Sequence, residues 1–248
     1  MRQEKTPHEN LAGKRILVTG GTTGIGRATV RALAARDARL LTFGREEAPL
    51  GEVLREAGLP PECGLTADAS TAADIRTVFA TVDERLGGID VLICCAALGA
   101  QPIHEMREED WRYAVETNLL GYMGCTRAAL ERMIAQGSGI VVLVSSISPE
   151  IMAPGESVYA ATKGGVNSFA LTLRKEVGDK GVRVTVIEPG SVGSDMQPCT
   201  AEEQRAAIAQ GEMLFAEEIA EAILFVLTRS SRCDVAMLRV EPIRQKTA

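Results

Sequence analysis

The feature that most constrains the fold of this chain is a repeated alternation of short apolar runs with helix-like segments. Runs such as 15–19, 91–95 and 139–144 are almost entirely apolar and lack the polar alternation of a half-exposed strand. A strand that is apolar on both sides needs a cover of helices on both faces, as parallel sheets have. The pattern therefore predicts an α/β fold, a doubly wound parallel sheet with helices on both faces.

The alternation also assigns elements to most of the chain. We predict strands at residues 15–19, 39–43, 64–67, 91–95, 139–144, 182–187 and 235–240. We predict helices from residue 24, at 46–57, at 75–86, in one or two pieces over 108–136, around residues 159–173 and at 219–227. No change in composition divides this pattern, so we expect a single domain over residues 12–248 after a polar N-terminal arm, residues 1–11.

Charge and hydropathy exclude several classes of partner. The net charge is −6 and no run of Lys and Arg occurs, so we expect no nucleic acid and no anionic membrane as partner. The longest apolar run, Val91 to Ala100, is shorter than the roughly 20 residues that span a bilayer. Residues 1–10 are polar and lack the apolar core of a signal peptide. We therefore expect a cytoplasmic protein.

The residues that usually carry metal or triad chemistry are scarce. The six cysteines form no CxxC pair, which favours reduced and mostly buried thiols. The two histidines, His8 and His104, are far apart in the sequence, so zinc sites and histidine-based triads are disfavoured. We expect no metal site, and the chemistry must come from other side chains.

A glycine-rich turn joins the first predicted strand to the first predicted helix. Glycines in Thr19 to Gly26 let the backbone approach a pyrophosphate closely, and the helix start that follows favours an anion. The strand before the turn and the helix after it strengthen this interpretation over a plain turn. The segment predicts a dinucleotide-binding site.

The end of the second strand indicates which dinucleotide is bound. NAD sites commonly place an acidic residue there, about 20 residues beyond the glycines, to bind the ribose 2′-hydroxyl. This chain has Phe43, Gly44 and Arg45 instead, and Arg45 can pair with a 2′-phosphate. The sequence therefore favours NADP. NAD stays an alternative, because the two glutamates at 46 and 47 could neutralise Arg45.

Tyr159 and Lys163 are four residues apart, so on a helix their side chains lie on one face. A tyrosine hydroxyl has an ordinary pKa of about 10, which is too high for efficient acid–base work near neutral pH. A nearby ammonium favours the phenolate and lowers that pKa. The pair predicts a general acid or base, although two unrelated surface residues would show the same spacing.

Taken together, these motifs resemble the short-chain dehydrogenase/reductase family, whose motif order and spacing match residues 12–240. Thr19 to Gly26 resembles the family's TGxxxGxG turn, and Tyr159 with Lys163 its YxxxK motif. Ser146 lies thirteen residues before Tyr159, the family's usual spacing for the catalytic serine, and Asn118 resembles the family's active-site asparagine. The resemblance implies a Rossmann-like fold and an oxidoreductase that moves a hydride between a nicotinamide cofactor and a carbonyl/alcohol substrate.

The resemblance also implies a role for each residue. Tyr159 would be the general acid/base, Lys163 would lower its pKa and bind the nicotinamide ribose, Ser146 would orient the reacting oxygen, and Asn118 would hold a relay water. The catalytic set is then Ser146, Tyr159, Lys163 and Asn118. The cofactor-binding set is Gly20, Thr22, Thr23, Gly24, Ile25, Gly26, Arg45, Asp68, Ala96, Tyr159, Lys163, Pro189, Gly190, Val192 and Ser194. Read alone, Asp68 could instead cap the next helix, and Asn118 could be a helix-bonding polar residue.

One segment departs from the family. Where the family has Asn-Asn-Ala-Gly after the fourth strand, this chain has Cys94, Cys95, Ala96 and Ala97. Thiols hydrogen-bond weakly, and a Cβ at residue 97 narrows the wall beside the cofactor. We expect weaker cofactor binding or a shifted backbone here, with the fold retained. This departure supports a different alternative, a weakly active sensor or structural subunit that keeps the fold.

Small residues follow Tyr159 along its predicted helix and would let another helix approach. They are Ala160, Ala161, Gly164, Gly165 and Ser168. The resemblance implies that such faces build homodimers or homotetramers. The segment between Met196 and Phe215 is expected to cover the substrate, and its lack of large aromatics favours a small or polar one.

Overall fold

The computed structural model describes residues 9–245 and contains one parallel sheet with helices on both faces. The strands are β1 (Arg15–Thr19), β2 (Arg39–Gly44), β3 (Gly64–Thr66), β4 (Val91–Cys94), β5 (Gly139–Val144), β6 (Val182–Pro189) and β7 (Met237–Val240). The helices are α1 (Gly24–Ala34), α2 (Glu47–Glu56), α3 (Ala72–Leu86), α4 (Glu108–Val115), α5 (Gly121–Gln136), α6 (Ser148–Ile151), α7 (Ser157–Val177), α8 (Ala201–Ala209) and α9 (Ala216–Leu227).

The strand order β3-β2-β1-β4-β5-β6-β7 confirms the predicted doubly wound, Rossmann-like fold. The order reverses beside β1, whose Leu17 is paired in register with Leu41 of β2 and Leu92 of β4. In such sheets the strand ends beside the reversal leave a crevice for a ligand. The glycine-rich turn follows β1 directly, so the fold places it at this crevice.

Alternate residues of each central strand enter two separate cores. Leu17 packs with residues of α3, α5 and α7, whereas Ile16 and Val18 pack with residues of α1, α2 and α9. Because both faces are covered, the central strands have no polar face, which explains their apolar sequences. Leu11 is also buried in the second core. Of the predicted N-terminal arm, residues 1–8 lie outside the described residues.

Three features differ from the predicted elements, and the first is the short helix α6, which was not predicted. Between α4 and α5 the chain forms a π-helical stretch, Glu116–Leu120, which contains Asn118. The segment before α9 contains a helix that was not predicted, α8, which begins with a capping box formed by Thr200 and Glu203. Across residues 9–245, no helix is both long enough and apolar enough to cross a membrane.

Candidate active site

A cleft of about 740 Å³ opens at the carboxyl ends of the central strands. Every predicted site residue except Asn118 lines it. The lining includes Gly20, Thr22, Thr23, Gly24, Ile25, Gly26, Arg45, Asp68, Ala96, Ser146, Tyr159, Lys163, Pro189, Gly190, Val192 and Ser194. Residues spread over some 175 positions of the chain therefore meet in one site, at the place where open parallel sheets bind ligands.

The turn after β1 has the shape that a pyrophosphate needs. Gly20 has φ +65°, and a Cβ added to it would lie 2.5 Å from Ala96 Cα. A Cβ on Gly26 would overlap the carbonyl oxygen of Gly20. At the start of α1 the N-cap residue, Thr23, makes no side-chain cap, and the first turn holds no acidic residue. The helix start is thus free to bind an anion, which fits the phosphates of a dinucleotide.

At the end of the cleft beyond β2 and β3, three side chains form a hydrogen-bonded chain. Arg45 donates from Nη1 to the Tyr113 hydroxyl at 2.9 Å, and Tyr113 donates to Asp68 Oδ2 at 2.5 Å. The Tyr113 hydroxyl raises the pKa of Arg45, and the pKa of Asp68 is lowered by Tyr113 and Ser70 against the opposing effect of burial. Asp68 is not the helix cap, because Thr71 caps α3 through the Asp74 N–H.

The wall at 94–97 is held by Thr19 rather than by asparagine side chains. Thr19 Oγ1 accepts from the backbone N–H of Cys95 at 3.2 Å and from that of Ala96 at 3.1 Å. Ala97 has no positive φ, so the backbone here does not require glycine. Burial raises the pKa of the Cys95 thiol to about 12. The fold is retained, as expected, and weaker cofactor binding stays a prediction.

The predicted catalytic serine and tyrosine lie together in the cleft. Ser146 lies two residues after the end of β5, and its Oγ accepts from Ser148 N at 3.1 Å and lies 3.0 Å from Ser148 Oγ. These contacts fix the Ser146 hydroxyl at the start of α6. Burial raises the pKa of Tyr159 to about 12, and a hydrogen bond with Ser146 opposes the shift. Tyr159 is therefore protonated at neutral pH.

Lys163 is buried beside these residues, with 1% of its surface exposed. Its Nζ donates to the Val144 carbonyl at 2.9 Å, and burial lowers its pKa to about 8. Nζ lies 5.7 Å from the centre of the Tyr159 ring. We expected Lys163 to lower the pKa of Tyr159. Burial is the main influence on both pKa values here and Lys163 donates to a backbone carbonyl, so the effect of Lys163 on Tyr159 stays a prediction.

Asn118 takes a different position from the other three residues. Its Oδ1 accepts from Leu98 N at 2.8 Å and its Nδ2 donates to Leu98 O at 2.8 Å. Nδ2 also lies 3.3 Å from Thr162 Oγ1. The side chain is fully buried and does not line the cleft. These hydrogen bonds fix the loop that follows the Cys94 to Ala97 wall, and the relay-water role of Asn118 stays a prediction.

The far wall of the cleft follows β6. Ser194 lies against the glycine turn, since a Cβ on Gly24 would be 3.2 Å from Ser194 Cβ. The predicted covering segment is tied to this wall, because Gln204 of α8 donates to the Ser194 carbonyl at 3.1 Å. Gln245 Oε1 accepts from Ser191 N at 2.8 Å and thereby holds the loop from the other side.

Two residues near the cleft were not identified from the sequence. Tyr113 links Arg45 to Asp68, and Tyr122 is buried beside Lys163. The chain contains three tyrosines, and the third is Tyr159. This scarcity was a usable signal, since each tyrosine lies in or next to the site. Among the described residues, no group of three or more His, Cys, Asp and Glu side chains could hold a metal ion.

The sheet order, the glycine turn and the Ser146, Tyr159 and Lys163 cluster define a nicotinamide-dependent dehydrogenase or reductase. The family model described as short chain dehydrogenase matches residues 14–205. The chain belongs to the short-chain dehydrogenase/reductase family and is an NAD(P)-dependent oxidoreductase that acts on a carbonyl/alcohol pair.

Particular relatives narrow the comparison. The 3-oxoacyl-[acyl-carrier-protein] reductase FabG of Escherichia coli (strain K12) is 31% identical over 222 residues, covering 88% of this chain and 91% of the relative. An uncharacterized oxidoreductase of Staphylococcus epidermidis is 28% identical over 231 residues, with 93% and 97% covered. Among solved structures, a tryptophan variant of actinorhodin polyketide ketoreductase with NADPH has a TM-score of 0.83 and 27% identity, with 94% and 97% covered.

Proposed function

We propose that the protein is an NADPH-dependent reductase of a small-molecule ketone or aldehyde, with Tyr159 as the general acid. The observation that carries the proposal is that Ser146, Tyr159 and Lys163 line the same cleft as the uncapped start of α1. A protonated tyrosine is the form needed to donate a proton to a carbonyl oxygen, and a pKa of about 12 keeps Tyr159 in that form.

The proposed roles follow from position. Ser146 donates a hydrogen bond to the carbonyl oxygen and orients it, and Tyr159 donates the proton that this oxygen takes up. In its protonated form, Lys163 stabilises the negative charge left on Tyr159. A bound nicotinamide cofactor supplies the hydride. Asn118 acts indirectly, by holding the loop that follows residue 97.

The preference for NADP rests on Arg45. Its guanidinium is exposed at the end of the cleft, and its hydrogen bond to Tyr113 uses Nη1. The other N–H groups can pair with a 2′-phosphate. NAD preference is the alternative, because Glu46 and Asp68 both act electrostatically on Arg45. We propose that the cofactor is bound by the set of residues predicted from the sequence, all of which line the cleft.

The substrate proposal is limited to class. The FabG relative is named a 3-oxoacyl-[acyl-carrier-protein] reductase and the actinorhodin neighbour a ketoreductase, and these names support reduction of a ketone. Met196 of the covering segment lines the cleft and is 44% exposed, so an apolar substituent on the substrate would have a partner. Simple ketones, aldehydes and 3-oxoacyl thioesters are the compounds to compare.

The test is oxidation of NADPH with this panel of carbonyl compounds. We expect Tyr159→Phe to lower kcat by at least about 100-fold, because the proton donor is lost while the ring stays in place. Fluorescence titration should show that the variant still binds NADPH. If Tyr159→Phe kept the parent's rate, the proposal would be wrong. If the parent bound NADPH but reduced no compound, the alternative of a sensor or structural subunit would gain support.

We also propose that the protein forms a homodimer or homotetramer. Ala161 and Ser168 of α7 are exposed small residues, as a close helix–helix contact requires. Gly164 and Gly165 contribute less, since they face Pro149 and Leu119 of the same chain. Light scattering on the purified protein measures the number of subunits.

A further inference from the structure

Tyr122 is a buried hydroxyl that the proposed reaction leaves without a role. It lies on α5, one turn after Asn118, and 1% of its surface is exposed. Its hydroxyl donates to the Val144 carbonyl at 3.0 Å. The same carbonyl accepts from Lys163 Nζ at 2.9 Å, and Nζ lies 3.5 Å from the Tyr122 oxygen. Two buried polar groups from different helices therefore meet on one backbone oxygen.

The ring of Tyr122 completes this arrangement. Lys163 Nζ lies 5.0 Å from the centre of the Tyr122 ring and 5.7 Å from that of Tyr159. A cation placed over two aromatic faces gains attraction from both, most strongly where water is excluded. Tyr122 does not line the cleft, so it meets neither substrate nor cofactor directly.

We propose that Tyr122 is a positioning residue, whose hydroxyl and ring hold the Lys163 ammonium on the Val144 carbonyl, facing Tyr159. The proposal rests on the function proposed above. A buried ammonium needs acceptors for its protons, and the loss of one acceptor disfavours the charged form. The titratable groups that face Lys163 are Cys94 and Cys95 at the end of β4, Tyr122 on α5 and Tyr159 on α7.

The test measures NADPH binding as a function of pH, which does not depend on turnover. In the parent, affinity should fall as the pH rises through about 8, because Lys163 then loses its proton. This decrease in affinity at high pH is the alkaline limb of the binding profile, and Lys163→Met should remove it. In Tyr122→Phe the limb should move to lower pH by about half a unit to one unit. In Tyr122→Met, which also lacks the ring, the shift should be at least as large.

A matched control is Thr126→Val, one turn further along α5. Thr126 is fully buried, and among the described residues its hydroxyl has no hydrogen-bond partner. This variant also loses a buried hydroxyl, yet its alkaline limb should match the parent's. The positioning role is wrong if Tyr122→Phe and Tyr122→Met leave the limb unshifted, or if Thr126→Val shifts it equally. If the parent reduced none of the carbonyl compounds in the panel, the proposed reaction would be wrong. The outcome of this binding test would be unaffected.

Discussion

At the scale of single residues, Arg45 is held between two opposing requirements. To bind NADP as proposed, it would present positive charge to a 2′-phosphate, yet Tyr113 connects it to the carboxylate of Asp68. The hydroxyl of Tyr113 separates the two charges, so Arg45 forms no direct ion pair with Asp68 within 4 Å. A planar guanidinium has enough donors to keep this contact and still bind a phosphate.

We expect Arg45→Ala to weaken NADP binding about 10- to 100-fold, because a hydrogen bond to a charged group contributes about 1.5–3 kcal/mol. NAD binding should change little. Titration with both dinucleotides measures the difference. Arg36→Ala is the control, since Arg36 is exposed and donates to the Ala32 carbonyl within the same segment, away from the cleft. An equal loss of affinity for NAD and NADP would contradict the assignment.

Residue roles could be predicted only where they depend on local spacing. Tyr159 and Lys163 lie one turn apart on α7, and Ser146 follows β5, so all three positions were visible in the sequence. Tyr113 meets Arg45 across 68 positions, and Tyr122 meets Lys163 across 41. Periodicity describes neighbours on one element and contains no information on such pairs. The burial that sets the pKa of Tyr159 is likewise a property of the assembled site.

At the scale of elements, a buried carboxylate joins four segments behind the site. Glu188 of β6 is 1% exposed. It accepts from Asn167 Nδ2 of α7 at 2.8 Å and from Arg239 Nη2 of β7 at 2.9 Å. Arg239 also donates to Glu150 of α6, the short helix that carries Ser148. The edge strand is therefore coupled to the helix whose Ser148 contacts the hydroxyl of Ser146.

Removing the Arg239 guanidinium from this network should destabilise the fold. We expect Arg239→Met to lower the free energy of unfolding by about 3 kcal/mol, because the Glu188 charge then stays buried without its counter-ion. Adding Glu188→Gln should restore part of the loss, since the neutral amide still accepts from Asn167. Urea unfolding followed by circular dichroism measures both values. Strictly additive effects of the two substitutions would show that the pair is not coupled.

Elements were predictable in proportion to the regularity of their hydrophobic pattern. The central strands are covered on both faces and therefore apolar throughout, and α3 shows its buried stripe plainly. Helix α8 has no fully buried residue, so it left no stripe in the sequence. The Thr200 and Glu203 capping box was the only signal for this helix in the sequence. The π-helical stretch around Asn118 has no comparable pattern.

At the scale of the whole molecule, several buried groups bind protons more tightly in the folded state. Burial raises the pKa of Cys95 and Cys125 to about 12 and raises that of Cys94 well above its ordinary value. The unfolded chain loses these protons near pH 9, so their contribution to stability is present below pH 9 and is lost as the pH rises towards 12. Lys163, whose pKa is lowered from 10.5 to about 8, makes the stability rise with pH in that range. This is the effect of one group, whereas three cysteines act in the opposite direction.

We therefore expect the free energy of unfolding to fall between pH 9 and pH 11. Cys125→Ala should reduce this fall by about 1.4 kcal/mol per pH unit, the equivalent of one proton. Cys233→Ala is the control, because Cys233 is exposed. Urea titrations under reducing conditions at several pH values measure the slopes. Equal slopes for the two variants would show that the Cys125 thiol is not the source.

The fold also gives the protein a built-in optical probe. The chain has one tryptophan, Trp111, and it lies on α4 two residues before Tyr113. Reduced nicotinamide absorbs in the region where tryptophan emits, so a reduced dinucleotide in the cleft would quench this single tryptophan by energy transfer. Because the signal comes from one defined position, the loss of Trp111 emission on titration would measure occupancy of the cleft without any added label.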